Sequence, residues 1–497
     1  MNLQSILRNN KVIYFILILF ALLLMFNSTY NPFNFTRMHV DSSVYVTIAQ
    51  GITRGKLPYT DFPDNKGPLL FLINAAGWKV GGFNGIWLID LLFTCFSVIF
   101  CYKIALFFGD RHKALLGTIF SLFILNAFLD VNAGTEGYSM PFLMISLYIF
   151  TKYYFSPKQE VNFFELVLLG TCFTLAALIR LNVFPLWAGF CVVILIESVI
   201  KRRFLQLVKY IWGFSLGIII AGFPVFLYLG INGILNDFFE HVIFGGIARG
   251  FGEGGLKETA QNFFIVLNRN FSIIPLAVGL YWMIKKFGHN TFGYFSGYLF
   301  SYLMMLLFIS FSSTLNHSNA VLVPFFIPAI TYLIGIIDSA FSERKTKNLL
   351  TIIFFCFVFS DQIVNYLYDV TKIFRRNSNA SGIELINAGK MIDENTNPGD
   401  KIISLGGNAY IYPFTIREMA SKYFYQSSSF DFIDGAKEEF LTDILINKPA
   451  IIALFTADDG DGSFFIMPDW QDPILEMIKN EYRLLSDENG FNLYIRQ

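Results

Sequence analysis

VIYFILILFALLLMFNSTY (Val12–Tyr30), followed after ten residues by DSSVYVTIAQGITRGKLPYTDFPDNKGP (Asp41–Pro68), decides the architecture. The first string is apolar over a length that crosses about 30 Å of hydrocarbon as a helix. Its Asn-Ser-Thr-Tyr-Asn-Pro end is a poor small-residue cleavage site, so it reads as a retained anchor and not a secretory leader. The second string gathers Asp41, Asp61 and Asp64 with Arg54, Lys56 and Lys66, and Arg37 lies just before it. Its neighbours on both sides are almost wholly apolar. Charge is therefore concentrated at one surface of a membrane.

The rest of the chain repeats the first pattern. Of 497 residues, 54% are hydrophobic and 15% charged, and the mean hydropathy is +0.52, which excludes an ordinary soluble domain. Helices satisfy their own backbone groups in lipid, so the expectation is a polytopic α-helical membrane protein. Apolar runs near Val12–Tyr30, Ile86–Phe108, Ala114–Leu129, Met140–Tyr154, Phe164–Leu181, Phe184–Val199, Tyr210–Leu229, Phe263–Ile284, Phe292–Phe311, Ala320–Phe341 and Leu349–Tyr368 make about eleven transmembrane helices. Leu69–Gly77 is too short to span and reads as part of an interfacial or re-entrant element, and VYVTIAQGI as interfacial helix, in the first external loop. A net charge of zero, with no basic stripe, argues against a nucleic-acid partner. Cys95, Cys101, Cys172, Cys191 and Cys356 all fall inside expected spans, without disulfide or metal-ligand spacing. The 58 Phe are most simply explained by a bias that also enriches Ile and Asn.

Lysine and arginine alternate by loop. Arg8/Lys11, Arg111/Lys113, Lys152/Lys158, Lys201–Arg203, Lys285/Lys286 and Arg344/Lys345/Lys347 share one side, which the positive-inside rule makes cytoplasmic. The N-terminus is then cytoplasmic and the C-terminus external, in a multi-pass protein of the cell membrane. Composition changes after Asp369, through RRNSNASG, which divides the chain into a transmembrane domain (1–370) and an external domain (371–497). In that tail, strands are expected from Asp400 and over Ala450–Phe455 and Asn492–Arg496, with helices over Lys437–Ile446 and Pro473–Tyr482. That alternation is a small α/β domain. Asp458-Asp459-Gly-Asp461-Gly reads as an acidic turn, because it lacks the closing Glu of a calcium loop.

The polar residues of the external loops are the chemical candidates. Asp41 opens the interfacial helix, where it can serve as a general base, as the helix N-cap, or as both. Lys66, in Asp64-Asn-Lys-Gly-Pro, can hold a phosphate at headgroup depth or simply snorkel. Glu136 stands at a helix N-terminus, where a carboxylate also interacts well with the dipole. Arg180, in Leu-Ile-Arg-Leu-Asn182, is an ionisable group at the end of a span, a functional candidate by default. Arg249 lies in the glycine-rich string GGIARGFG, and His317 is an isolated external histidine.

Taken in order, Asp41 with Tyr45, Gly55-Lys-Leu-Pro-Tyr-Thr-Asp61, Asp64-Asn-Lys66-Gly-Pro68, Thr135-Glu136-Gly-Tyr-Ser-Met-Pro141, Arg180 with Asn182, and His317 resemble the C-type glycosyltransferase superfamily. The likeness is to the bacterial relatives of protein O-mannosyltransferases and of the transferase that adds aminoarabinose to lipid A. It implies sugar transfer, with inversion, from a polyprenyl-phosphate donor to an external protein, glycolipid or wall-polymer acceptor. It also implies Asp41 and Glu136 as catalytic carboxylates, Lys66, Arg180 and Arg249 at the donor phosphate, and Tyr45, Asp64, Asn182 and His317 in positioning. The superfamily's frequent Asp-Glu pair is Asp41-Ser42 here, which leaves Glu136 or Asp64 to supply a second carboxylate. No metal ligand is assigned and no cofactor is expected, although some superfamily members use a divalent metal. The rival readings are a transporter or flippase of lipid-linked saccharides, and an oligosaccharide polymerase or ligase. The first lacks an inverted repeat with paired broken helices.

Overall fold

The computed structural model describes residues 9–26, 28, 30–32, 40–128, 134–157, 159–246, 255–285, 292–312, 316–340, scattered positions between 349 and 371, 380–406, 409–426, 430, 433–455, 472–487 and 491–497. They form two compact units. One comprises Met1–Ser28, Leu88–Leu227 and Gly250–Lys372, and the other Thr29–Trp87, Tyr228–Arg249 and Ile373–Gln497. The tail is thus grouped with Thr29–Trp87 and Tyr228–Arg249.

The first unit contains helices and no strand among its described residues. It contains α1 (Asn10–Met25), the later part of α3 (Pro68–Ala105), α4 (Arg111–Phe128), α5 (Thr135–Phe155), α6 (Phe163–Ala177), α7 (Pro185–Ile200), most of α8 (Phe204–Ile231), α9 (Gly255–Asn268), α10 (Ile273–Lys285), α11 (Phe292–Ser312) and α12 (Val323–Ala340); α2 (Val40–Thr53) belongs to the second unit. Among the described residues, five helical stretches are long and apolar enough to cross a membrane, or six if the bent pair α9–α10 is one span. On α8, Leu205, Trp212, Phe223 and Ile231 are 89%, 69%, 62% and 76% exposed. An apolar face of that size is at home only in hydrocarbon, and the chain is a multi-pass membrane protein. The expected span Phe263–Ile284 is a helix pair bent by 86°, because a 3-10 turn at Arg269–Phe271 interrupts it. The expected span Leu349–Tyr368 lies mostly outside the described residues. Leu69–Gly77 is helical, but runs on within α3 to a break at Gly81 and Gly82, the latter at φ +59°. A glycine tolerates that backbone without a Cβ penalty.

Lipid gives helices no hydrophobic reason to associate, so close backbone approach must do it. A Cβ at Gly189 of α7 would run into Ser301 of α11, and one at Gly117 of α4 into Thr331 of α12. Ser301 also donates to the Leu186 carbonyl at 3.0 Å.

In the second unit α2 is followed by a structured turn, and the tail folds as five strands with helices α13 (Ala380–Glu394), α14 (Ala436–Asn447) and α15 (Asp472–Glu481). The strands are β1 (Lys401–Leu405), β2 (Glu418–Met419), β3 (Ile451–Phe455), β4 (Tyr482–Ser486) and β5 (Phe491–Arg496). Their order is β2-β1-β3-β5-β4, with β1 parallel to β2 and β3 and with β5 antiparallel to β3 and β4. Alternating Ile403, Leu405 and Ile452 meet Phe440 and Ile444 of α14 and Ile474 and Ile478 of α15 in one core. Gln50 of α2 donates to the Pro413 carbonyl at 3.0 Å, and Phe62 meets Phe424 edge-on at 5.8 Å. The acidic string at Asp458–Asp461 lies outside the described residues.

The α7–α11 contact yields a first prediction. Gly189→Val should destabilise the helical unit by about 1–3 kcal/mol through overpacking. Gly230→Val, where a Cβ would meet nothing within 4 Å, should leave the melting temperature of the purified protein in detergent unchanged.

Candidate functional site

Three of the expected site residues converge in the helical unit. Glu136 lies in the first turn of α5, whose N-cap Gly134 supplies no side-chain cap. Arg180 and Asn182 sit where α6 ends and a 3-10 turn, Leu181–Val183, leads into Pro185 and α7. Arg180 Nη1 is ion-paired with Glu136 Oε1, the two side chains being 12% and 6% exposed. Arg180 Nε donates to Asn182 Oδ1 at 2.6 Å, Nη1 to Thr135 Oγ1 at 3.2 Å and Nη2 to Ser318 Oγ at 3.3 Å. Thr135 in turn donates to Glu136 Oε2 at 2.7 Å. The planar fork of an arginine suits several fixed acceptors at once, a carboxylate among them. His317 stands beside Ser318 in the 3-10 helix Asn316–Leu322 and is half-buried.

Two members of this region went unassigned in the sequence: Thr135 and Ser318, whose hydroxyls signal nothing by themselves. Asp90 was also passed over. It is 1% exposed on α3, and its Oδ1 would lie 3.8 Å from a Cβ at Gly137, beside Glu136. With Thr94, Ser97 and Asn126 it lines a cavity of about 20 Å³, enough for about one water. A carboxylate inside the expected span Ile86–Phe108 was the signal for it.

The other candidates lie in the second unit. Asp41 is half-buried in the first turn of α2, and Tyr45, 3% exposed one turn later, packs its ring on Phe71 at 6.3 Å. The turn holding Lys66 is fixed from both ends. Its amide donates to Asp64 Oδ1 at 2.8 Å, and its carbonyl accepts the Tyr59 hydroxyl at 2.9 Å. Asp64 is 5% exposed and Tyr59 1%. Tyr59 holds φ +70°, a left-handed backbone rare for an aromatic residue. Burial first, then the charge of Asp64 and the nearby Tyr228, hold its phenol well above the ordinary tyrosine range, so it remains a donor. The Lys66 ammonium reaches Asn65 Oδ1 at 3.0 Å. His241, in a π-helical turn at Phe239–Phe244, faces the Tyr59 ring at 6.1 Å. Its pKa is lowered, chiefly by burial, with Lys422 adding to the effect and Glu240, Asp237 and Asp64 opposing it. Arg249 lies outside the described residues.

Among the described residues no three His, Cys, Asp or Glu side chains group to hold a metal ion. Glu136 is engaged by Arg180 and Thr135, and Asp64 by the Lys66 amide.

Two predictions arise here. Arg180→Met leaves Glu136 buried and unpaired and should cost about 3–5 kcal/mol, whereas Glu136→Leu combined with Arg180→Met should cost clearly less; thermal unfolding in detergent measures both. Because the folded pKa of His241 lies below the ordinary 6.5, the unfolded chain takes up the proton first as pH falls. Its contribution to stability is complete above about pH 6.5 and lost as pH drops through the folded value. His241→Gln should flatten the fall in melting temperature between about pH 7 and 5.

No curated protein matches the chain. Among solved structures, ArnT from Cupriavidus metallidurans in the apo state shares the fold at a TM-score of 0.62, with 12% identity over 96% of this chain and 97% of that one. The same protein bound to undecaprenyl phosphate gives 0.58 at 11% identity, with 96% and 97% covered. The oligosaccharyltransferase AglB from Archaeoglobus fulgidus, in complex with an inhibitory peptide and a dolichol-phosphate, gives 0.52 at 11% identity over 97% of this chain and 74% of that one. The chain therefore shares the fold of these proteins. By sequence, residues 3–379 match the Competence-induced Ccs4 N-terminal domain, and over that majority of its length the chain belongs to this family.

Proposed function

We propose that this protein is an integral membrane glycosyltransferase that moves a sugar from a polyprenyl-phosphate-linked donor to an acceptor on the external face. The observation that carries the reading is the fold shared along 96% of the chain with ArnT, a protein solved with undecaprenyl phosphate bound. The N-terminus is cytoplasmic and the tail external, in the cell membrane. A lipid donor reaches such a site laterally, through the bilayer, and needs no nucleotide-binding domain.

On this reading Lys66 receives the donor phosphate. The clamp of Asp64 and Tyr59 on its backbone supports that role, because a phosphate leaving group gains most from a cation that need not reorganise as the bond breaks. Asp41, half-buried at the start of α2, takes the proton from the acceptor hydroxyl. The acceptor oxygen then attacks the anomeric carbon opposite the phosphate. The carbon–oxygen bond to phosphate breaks with its electron pair on the leaving polyprenyl phosphate, and the anomeric carbon inverts. Tyr45 supports Asp41 from the next turn of the helix.

Glu136 is better suited to holding Arg180 than to proton transfer, since its Oε1 is paired with the guanidinium and its Oε2 accepts the Thr135 hydroxyl. We assign Arg180, with Asn182, to a fixed positive locus whose donors can turn from Ser318 to a phosphate oxygen. Arg249 is assigned to the donor phosphate and His317 to positioning.

The test is incubation of purified protein with labelled polyprenyl-phosphate hexose, scoring transfer to acceptor or water. Asp41→Asn should lower kcat at least about a hundredfold with donor KM little changed. Lys66→Ala should act on donor KM as well. Full activity in Asp41→Asn would remove the base assignment, and absence of transfer with every donor tried would favour a transporter.

A further inference from the structure

A second cleft, of about 150 Å³, lies within the second unit between the C-terminal end of α2 and the sheet edge at β2. Five cations line it, Arg54, Lys56, Lys401, Arg417 and Lys422, against two carboxylates, Asp61 and Glu418. The charges divide by what already holds them. Arg417 is spent on the fold: its side chain is 6% exposed and donates to Thr396 Oγ1 at 2.6 Å and to the Asp393 and Thr396 carbonyls. Lys422 pairs with Glu439 at 2.7 Å. Lys56 and Glu418 approach only to 3.8 Å and are 44% and 57% exposed, so their attraction is weak. Asp61 accepts the Leu57 amide at 2.7 Å. That leaves Arg54 and Lys401, neither of which has a carboxylate partner among the described residues; Lys401 has only Asn447 Oδ1 at 3.3 Å. The dipole at the end of α2 accounts for one nearby cation, Arg54, and not for Lys401 on β1. The wall is rigid, because Phe62 sits so close over Gly51 that a Cβ there would enter its ring.

The position of the cleft adds a length. Asp41 stands at the first turn of α2 and Arg54 directly after its last residue, about 20 Å apart at 1.5 Å per residue. We propose that this cleft holds an anionic group, phosphoryl or carboxyl, of an elongated acceptor whose reacting hydroxyl lies at Asp41. The acceptor end of the statement rests on the transferase reading above; the anion site itself does not. A ligand that engages both ends of α2 is a charged oligomer and not a single sugar.

The test uses the full-length protein in nanodiscs of neutral lipid and three oligomers of matched length: a glycerol-phosphate oligomer, an oligogalacturonate and a neutral dextran. Intrinsic fluorescence or microscale thermophoresis reads binding. One or both anionic oligomers should bind saturably and at least about tenfold more tightly than dextran, and less tightly as salt is raised. The better ligand identifies phosphoryl or carboxyl as the group held. Arg54→Glu with Lys401→Glu should abolish that preference at an unchanged melting temperature, and the milder Arg54→Gln should weaken it several-fold. Asp41→Asn should leave it intact. Equal binding of dextran, or a preference that survives both Arg54→Gln and the double reversal, overturns the assignment. If anion preference is lost with the double reversal yet no sugar is ever transferred, the transferase reading fails and the anion site stands.

Discussion

One guanidinium ties the helical unit together at the end where its chemistry is assigned. Arg180 reaches Glu136 and Thr135 at the start of α5, Asn182 at the break between α6 and α7, and Ser318 ahead of α12. Each of these segments is a helix end, with backbone groups that the helix itself cannot satisfy. In a unit whose helices associate mainly by packing, a charge pair with several acceptors in place does what burial does in water: it makes one arrangement of helix ends much better than its neighbours. The cost of taking both charges out of water is offset only because so many acceptors are in place.

The second unit solves a related problem with backbone strain. A left-handed Tyr59 is unfavourable by itself, and it persists because its ring is enclosed by Phe71 and Phe238 and its hydroxyl holds the Lys66 carbonyl. The consequence falls on Lys66, whose backbone is held on both sides and whose ammonium donates to Asn65 Oδ1.

Much of this was legible in the chain. Hydropathy located α1, α4 to α8, α11 and α12, and the strand–helix alternation located β1, β3, β5, α14 and α15, because periodicity and length are local properties. The charged loops likewise singled out Glu136, Arg180 and Asn182 one by one. Their pairing was not legible, since it depends on how separate helices pack. Nor was the two-residue β2, too short to carry a pattern, or β4, whose Tyr-Arg-Leu-Leu-Ser follows α15 without a turn residue. Leu69–Gly77 was seen as apolar and short, but its continuation to Gly81 depends on residues with no strong preference. Asp90 is a different kind of miss: its signal was present, a carboxylate within a span, and lay among residues read only for hydropathy.

The two carboxylate candidates differ in what surrounds them, and that difference orders their roles. A general base must reach the proton it takes with an accessible oxygen, so a carboxylate whose oxygens are both engaged is poorly placed for the role. Glu136 is so engaged, with Oε1 paired to Arg180 and Oε2 accepting the Thr135 hydroxyl. Asp41, by contrast, lies in the first turn of α2 and is half-buried, so the residue remains partly accessible. The Ser42 that stands where many superfamily members carry a second acid therefore need not be replaced by another base. On the proposed mechanism the chain requires one carboxylate that moves a proton and one that keeps an arginine in place, and the environments of Asp41 and Glu136 divide that work.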